Sequence, residues 1–116
     1  MDLRRYYNDH GKIIVLDMMK PADSRKIGDL WRDRWQVRET VITPDGVACD
    51  VSTIDLIIEH CGPQGMGYWY ETMLFGGGEL HQECFRYRTQ AAAEAGHARV
   101  VAALKAGRDP HTVMED

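Results

Sequence analysis

QVRETVITPDGVACDVSTIDLIIEH, residues 36–60, is the stretch whose reading decides the fold. Val37, Glu39 and Val41 alternate with Arg38, Thr40 and Ile42, a period of two that belongs to an extended strand and not to a helix. Thr43-Pro44-Asp45-Gly46 then turns the chain, because proline presets φ for a turn and glycine takes positive φ without a Cβ clash. The returning strand runs from about Val47 to His60. It sets Ser52, Ile54, Leu56, Ile58 and His60 on one face and Val51, Thr53, Asp55, Ile57 and Glu59 on the other, the first face being the more apolar. A connection this short forces antiparallel pairing.

Toward the C-terminus, Gly62-Pro63-Gln64-Gly65-Met66-Gly67 interrupts the strand pattern, and YWYETMLF (68–75) resumes it as a third strand. Gly76-Gly77-Gly78 reads as a loop, since glycine loses the most backbone entropy on ordering, and a fourth strand follows at about Glu83 to Thr89. If this second hairpin pairs Phe75 with Gln82, Glu71 stands opposite Arg86 in a cross-strand ion pair. Thr89 is an N-cap for QAAAEAGHARVVAALKAG (90–107), whose alanines favour helix and whose Lys105 and Gly107 mark its end. Ala93, His97, Val100, Val101 and Leu104 form its inward stripe.

Toward the N-terminus, Pro21 opens ADSRKIGDLWRDRW (22–35), in which Ile27, Leu30 and Trp31 recur at helical spacing. Lys12 to Leu16 (KIIVL) is a short strand or an extended edge piece. The expectation is an α+β domain over residues 1–107: about four strands in an antiparallel meander, with an N-terminal helix and a C-terminal helix packed on one face. Residues 108–116, without periodicity, are expected to be a loosely ordered tail. The face left open would carry Trp69, Met73 and Phe75 as an interface to water or to a partner.

Bulk properties narrow the function classes. A chain of 116 residues can bury one core but not two. The formal net charge is -4, with Lys and Arg scattered along the chain, so the basic footprint of a nucleic-acid binder is missing. No apolar stretch approaches the ~20 residues that cross a bilayer. MDLRRYYNDHGK has no apolar segment behind its arginines to make a signal peptide, so the cytoplasm is the expected location. Cys49, Cys61 and Cys84 are odd in number and irregularly spaced, and read as free thiols.

Several separated motifs carry a resemblance. Arg5-Tyr6-Tyr7-Asn8-Asp9 with Gly11, Val51-Ser52-Thr53 through Glu59-His60, Tyr70 to Gly76 (YETMLFG), Arg86-Tyr87-Arg88-Thr89 and Ala95-Gly96-His97 occur in the order found in a family of small bacteriophage and prophage proteins, chiefly of actinobacteria. The chain resembles that family over most of its length. The resemblance implies a phage accessory protein and no particular chemistry.

Two sets of residues have chemistry to offer. His60, Cys61, His81 and Cys84 combine zinc's nitrogen and sulfur donors, with His81-x-x-Cys84 at workable spacing. Neighbours on a strand point apart, however, so His60 and Cys61 reach one metal only if the strand ends there. His60, Glu71, Arg86 and His97 could form a polar pocket for acid–base work, since His titrates near neutrality and Glu can orient it. Alternation opposes that grouping, because His97 belongs to the helix-covered side and Arg86 points away. The expected function is therefore a noncatalytic protein-binding module, acting in host takeover or anti-defence, with a host or phage protein or a second copy as partner. The alternative is a small metal-dependent or acid–base enzyme using the His/Glu/Arg cluster. No cofactor, membrane or nucleic acid is expected.

Overall fold

The computed structural model describes residues 3–60 and 67–114. Strands β1 (Arg4–Asp9) and β2 (Lys12–Asp17) come first, then helix α1 (Pro21–Arg32), β3 (Gln36–Ile42), β4 (Ala48–His60), β5 (Tyr68–Gly76), β6 (Cys84–Tyr87) and helix α2 (Gln90–Lys105). Short 3-10 turns occupy Gly78–Leu80 and Pro110–Val113. The sheet is six-stranded in the order β2-β1-β4-β5-β6, and β3 pairs with β4 off that path. Every pairing is antiparallel, so the α+β class and the meander of residues 36–89 stand.

The expected count of about four strands is too low, and α1 is not the first element. RRYYND hides a strand because only Tyr7 gives it an apolar signal; its neighbour Asn8 is buried by hydrogen bonding instead. His10 (φ 53°) and Gly11 (φ 95°) supply the two positive φ values of a tight hairpin turn, and β1 pairs with β2 from Asp9↔Lys12 to Arg4↔Asp17.

The centre of the sheet is β4. Along Ala48 to Ile54 it pairs with β3, and beyond a bulge the same side meets β1 at Tyr7↔Ile58. At the bulge Ile57 takes φ 67°, and the Asp55 carboxylate accepts its backbone N–H at 2.8 Å. Between Asp55↔Tyr70 and His60↔Tyr68 β4 advances five residues against two in β5, and extra residues of this kind bend one strand, which lets a single β4 serve two neighbours in succession.

The helices do not share a face. α1 packs Leu30 against Tyr7 and Ile57, with Ile14, Leu16 and Ile27 around them. α2 packs Val100, Val101 and Leu104 against Val41, Cys49, Val51 and Leu74. Tyr7 and Asn8 are successive strand residues and point oppositely. Tyr7 meets α1, whereas Asn8 bonds the hydroxyl of Tyr70, whose cluster includes Ala93 of α2, so the helices lie on opposite sides of β1.

The more apolar face of β4 is not the inner one. Val51, Thr53, Asp55 and Ile57 are buried, and Ile54 and Leu56 only half so. α2 packs on Val51 and bonds Thr53 through His97, Asp55 is buried against Asn8, and Ile57, beyond the bulge, packs under α1; the two polar side chains are tolerated inside because their atoms find partners. Within residues 108–114 Pro110 is fully buried, Asp109 caps the turn by accepting the His111 N–H, and the His111 ring packs on Phe85.

Candidate functional site

The interior holds a chain of polar side chains linking sheet to helix. Tyr87 donates its hydroxyl to Thr72 at 3.0 Å, and Thr72 and Thr53 share a 2.6 Å bond. Thr53 lies 2.6 Å from Nδ1 of His97, and Nε2 of His97 lies 2.8 Å from Glu39. One direction satisfies every hydrogen: Tyr87 to Thr72, Thr72 to Thr53, Thr53 to Nδ1, and Nε2–H to the Glu39 carboxylate. Three antiparallel register pairs, Tyr70↔Tyr87, Thr53↔Thr72 and Val37↔Thr53, fix the strand ends of this chain, and α2 brings His97 over them.

Gly96 makes the approach possible. A Cβ there would lie 2.2 Å from the Tyr87 ring, so only glycine lets α2 come this close. The His97 imidazole bonds a threonine and a carboxylate and reaches Tyr87 only through the threonines.

Carboxylate, imidazole and hydroxyl in series resemble a nucleophile triad, and burial decides against that use. Thr53 is 0% exposed and its oxygen is already engaged by Thr72, so no substrate atom can approach it. The chain is a structural tie between α2, β3, β4, β5 and β6.

A second buried cluster sits where β1 joins the sheet. The Asn8 amide donates to Asp55 at 3.2 Å and to the Tyr70 hydroxyl at 2.8 Å, while its carbonyl oxygen accepts the Gly11 N–H at 2.9 Å. Burial pushes the Asp55 carboxyl above its ordinary range, against the opposing pull of the Ile57 and Asn8 hydrogen bonds. Burial likewise raises the Tyr70 phenol.

The expected site residues do not converge. Glu71 stands opposite Arg86, in the register the second hairpin was expected to have, and they bond at 3.0 Å on the face away from α2. His97 faces the other way, so the four acid–base candidates form no common pocket. His60 enters through its backbone pairing with Tyr68. Its side chain and Cys61 lie outside the described residues. His81 accepts the Gly76 N–H with its Nδ1 at 3.0 Å. Among the described residues no group of three or more His, Cys, Asp or Glu is arranged to hold a metal ion. Cys49 is buried, and its thiol is pushed up by that burial, which makes it unreactive.

Of the expected interface, Trp69 is buried at 4% exposure, Met73 is half-buried, and only Phe75 is open, at 37%. Comparison with protein-family models, curated proteins and solved structures finds no match.

What remains accessible lies elsewhere. Ile13 and Val15 of β2 are exposed, and Met18 and Met19 follow in the turn before α1. KIIVL, whose β-branched run suggests a short strand or an extended edge piece, is the body of β2. A cleft of about 440 Å³ between β6 and α2 is lined by Tyr68, Arg86, Tyr87, Arg88, Arg99 and Met114. Arg88 lies over the Tyr68 ring and Arg86 bonds Glu71, so two of its guanidinium groups are already engaged. Among the described residues no helix is long and apolar enough to cross a membrane.

Proposed function

We propose that this chain is a noncatalytic protein-binding module, a bacteriophage or prophage accessory protein that acts by docking to a host or phage protein. One observation carries the reading. Among the described residues, Thr53, Thr72, Tyr87, His97, Asn8 and Asp55 are engaged in interior hydrogen bonds, while large apolar side chains stand open along β2 and the turn after it. Ile13, Val15, Met18 and Met19 are exposed at 37%, 52%, 54% and 72%. Apolar surface gathered in one place is what protein interfaces use, whereas scattered exposed residues need no explanation. The resemblance to actinobacterial phage proteins supports the accessory role and suggests a partner in such a host.

The test is capture from an actinobacterial host lysate with tagged protein and with a Val15→Lys variant, each bound protein being identified and rebound as a purified pair. A partner that binds the native chain and is lost from the variant, at unchanged circular dichroism, supports the reading. Failure of every captured protein to rebind in purified form overturns it.

A further inference from the structure

Among the described residues the sheet has three unpaired edges: β2 and β6 at its ends, and the side of β3 away from β4. Natural sheets blunt such edges with charge, shortness or distortion. β6 is four residues long and carries Arg86. β3 places Arg38 and Glu39 at its middle. β2 keeps its charges at the two ends, Lys12 and Asp17, and runs Ile13-Ile14-Val15-Leu16 between them. It is the one edge of the three without protection at its centre.

The open backbone groups on β2 can be counted. A two-residue hairpin closes on a hydrogen-bonded pair, here Asp9 with Lys12, and bonded pairs then recur at every second residue. The N–H and C=O of Ile13, Val15 and Asp17 therefore point away from β1. Asp23 of α1 takes the Asp17 N–H at 2.9 Å, which leaves those of Ile13 and Val15.

We infer that these groups form the seam of a two-fold dimer in which β2 pairs antiparallel with β2 of a second copy, Ile14 lying on the axis. In that register Ile13 of each copy stands opposite Val15 of the other, and each pair exchanges both of its open hydrogen bonds. The exposed Ile13 and Val15 side chains of the two copies join into one apolar strip on the same face. Antiparallel pairing also sets the Lys12 end of each strand beside the Asp17 end of its mate. A register centred on Val15 would need the Asp17 N–H already held by Asp23, and a slip by one residue would turn the apolar side chains to opposite faces. The dimer rests on the reading of the chain as a binding protein and names one partner for it.

Light scattering coupled to gel filtration tests it across micromolar to high-micromolar protein. The native chain should have twice the monomer mass, and Val15→Lys should fall to the monomer mass with its circular dichroism unchanged. The register is read separately: Ile13→Cys/Val15→Cys, in a Cys61→Ser/Cys84→Ser background, should give a disulfide-linked dimer under mild oxidation, and Val15→Cys alone should not. A native chain that is monomeric throughout, or a dimer indifferent to Val15→Lys, overturns the inference. A monomer that still rebinds a purified host protein through the same edge sinks the dimer and leaves the binding role standing. A dimer that captures no other protein does the reverse.

Discussion

Alanine at position 96 should destabilise the protein although alanine is the better helix former. Gly96 lies inside α2, where replacing glycine with alanine ordinarily gains about 0.5–1 kcal/mol. A Cβ at that place would sit 2.2, 2.4 and 2.5 Å from Cε1, Oη and Cζ of Tyr87. Ordinary contact begins at 3.4 Å, so 3.4 − 2.2 = 1.2 Å must be found by moving the helix or the ring. The ring cannot yield easily, because Tyr87 is buried and its hydroxyl is held by Thr72. Overpacking of this kind costs about 1–3 kcal/mol, and losing the hydroxyl bond adds about 0.5–1.5 kcal/mol. The net expectation for Gly96→Ala is a loss of about 1–3 kcal/mol, read as a lower urea midpoint at unchanged slope. Gly28 in α1 is the control: its Cβ would meet nothing within 4 Å, so Gly28→Ala should gain about 0.5–1 kcal/mol. In a Tyr87→Leu background, Gly96→Ala should stop being harmful. Equal midpoint shifts for the two glycine variants would refute the account of how α2 is seated.

Three further outcomes follow from the buried groups. Thr53→Val removes the link between Thr72 and His97, leaving buried polar atoms unpartnered, and should cost about 1–3 kcal/mol in chemical denaturation; Glu39→Gln, at the exposed end of the same chain and still able to accept, should cost clearly less. Asp55 binds its proton more tightly folded than unfolded, so its contribution is fully present below the ordinary carboxylate pKa and is lost as pH rises through the raised one. The stability difference between the native chain and Asp55→Asn should therefore move in the variant's favour over that window, and a flat difference would show the carboxyl to be unperturbed. A double-mutant cycle of Glu71→Gln and Arg86→Gln should return a coupling of roughly 0.2–1 kcal/mol, and a coupling of zero would mean that the 3.0 Å pair is not maintained in solution.

The parts legible in the sequence are those where side-chain period and turn chemistry agree. Residues 36–89 alternate cleanly, Gly46 takes φ 85° in the turn its Pro-Asp-Gly context suggested, and Glu71 meets Arg86 in the expected register. Thr89 caps α2 by accepting the Ala92 N–H. β1 was illegible because its buried partner is amide chemistry, not apolar area: Asn8 inside and Arg4 and Arg5 outside give no hydrophobic period. The inner face of β4 was misjudged for the same reason, since Thr53 and Asp55 look like surface residues until His97 and Asn8 are brought to them. Trp69 is buried in a cluster that draws on residues far away in sequence, and alternation alone cannot tell a water-facing side from a covered one. The polar chain through His97 joins residues far apart in sequence, and no local spacing announces it.

The bend in β4 has a dynamic consequence. β1, β2 and α1 share their own cluster around Tyr7, Leu30 and Ile57, and are joined to the rest at the short stretch near Ile58 and by the Asn8 bonds. Such a joint divides one cooperative body into two layers of unequal protection, so amide exchange should be faster throughout the N-terminal layer than in the strands under α2. A partner that clamps that layer would slow its exchange far beyond the residues it touches.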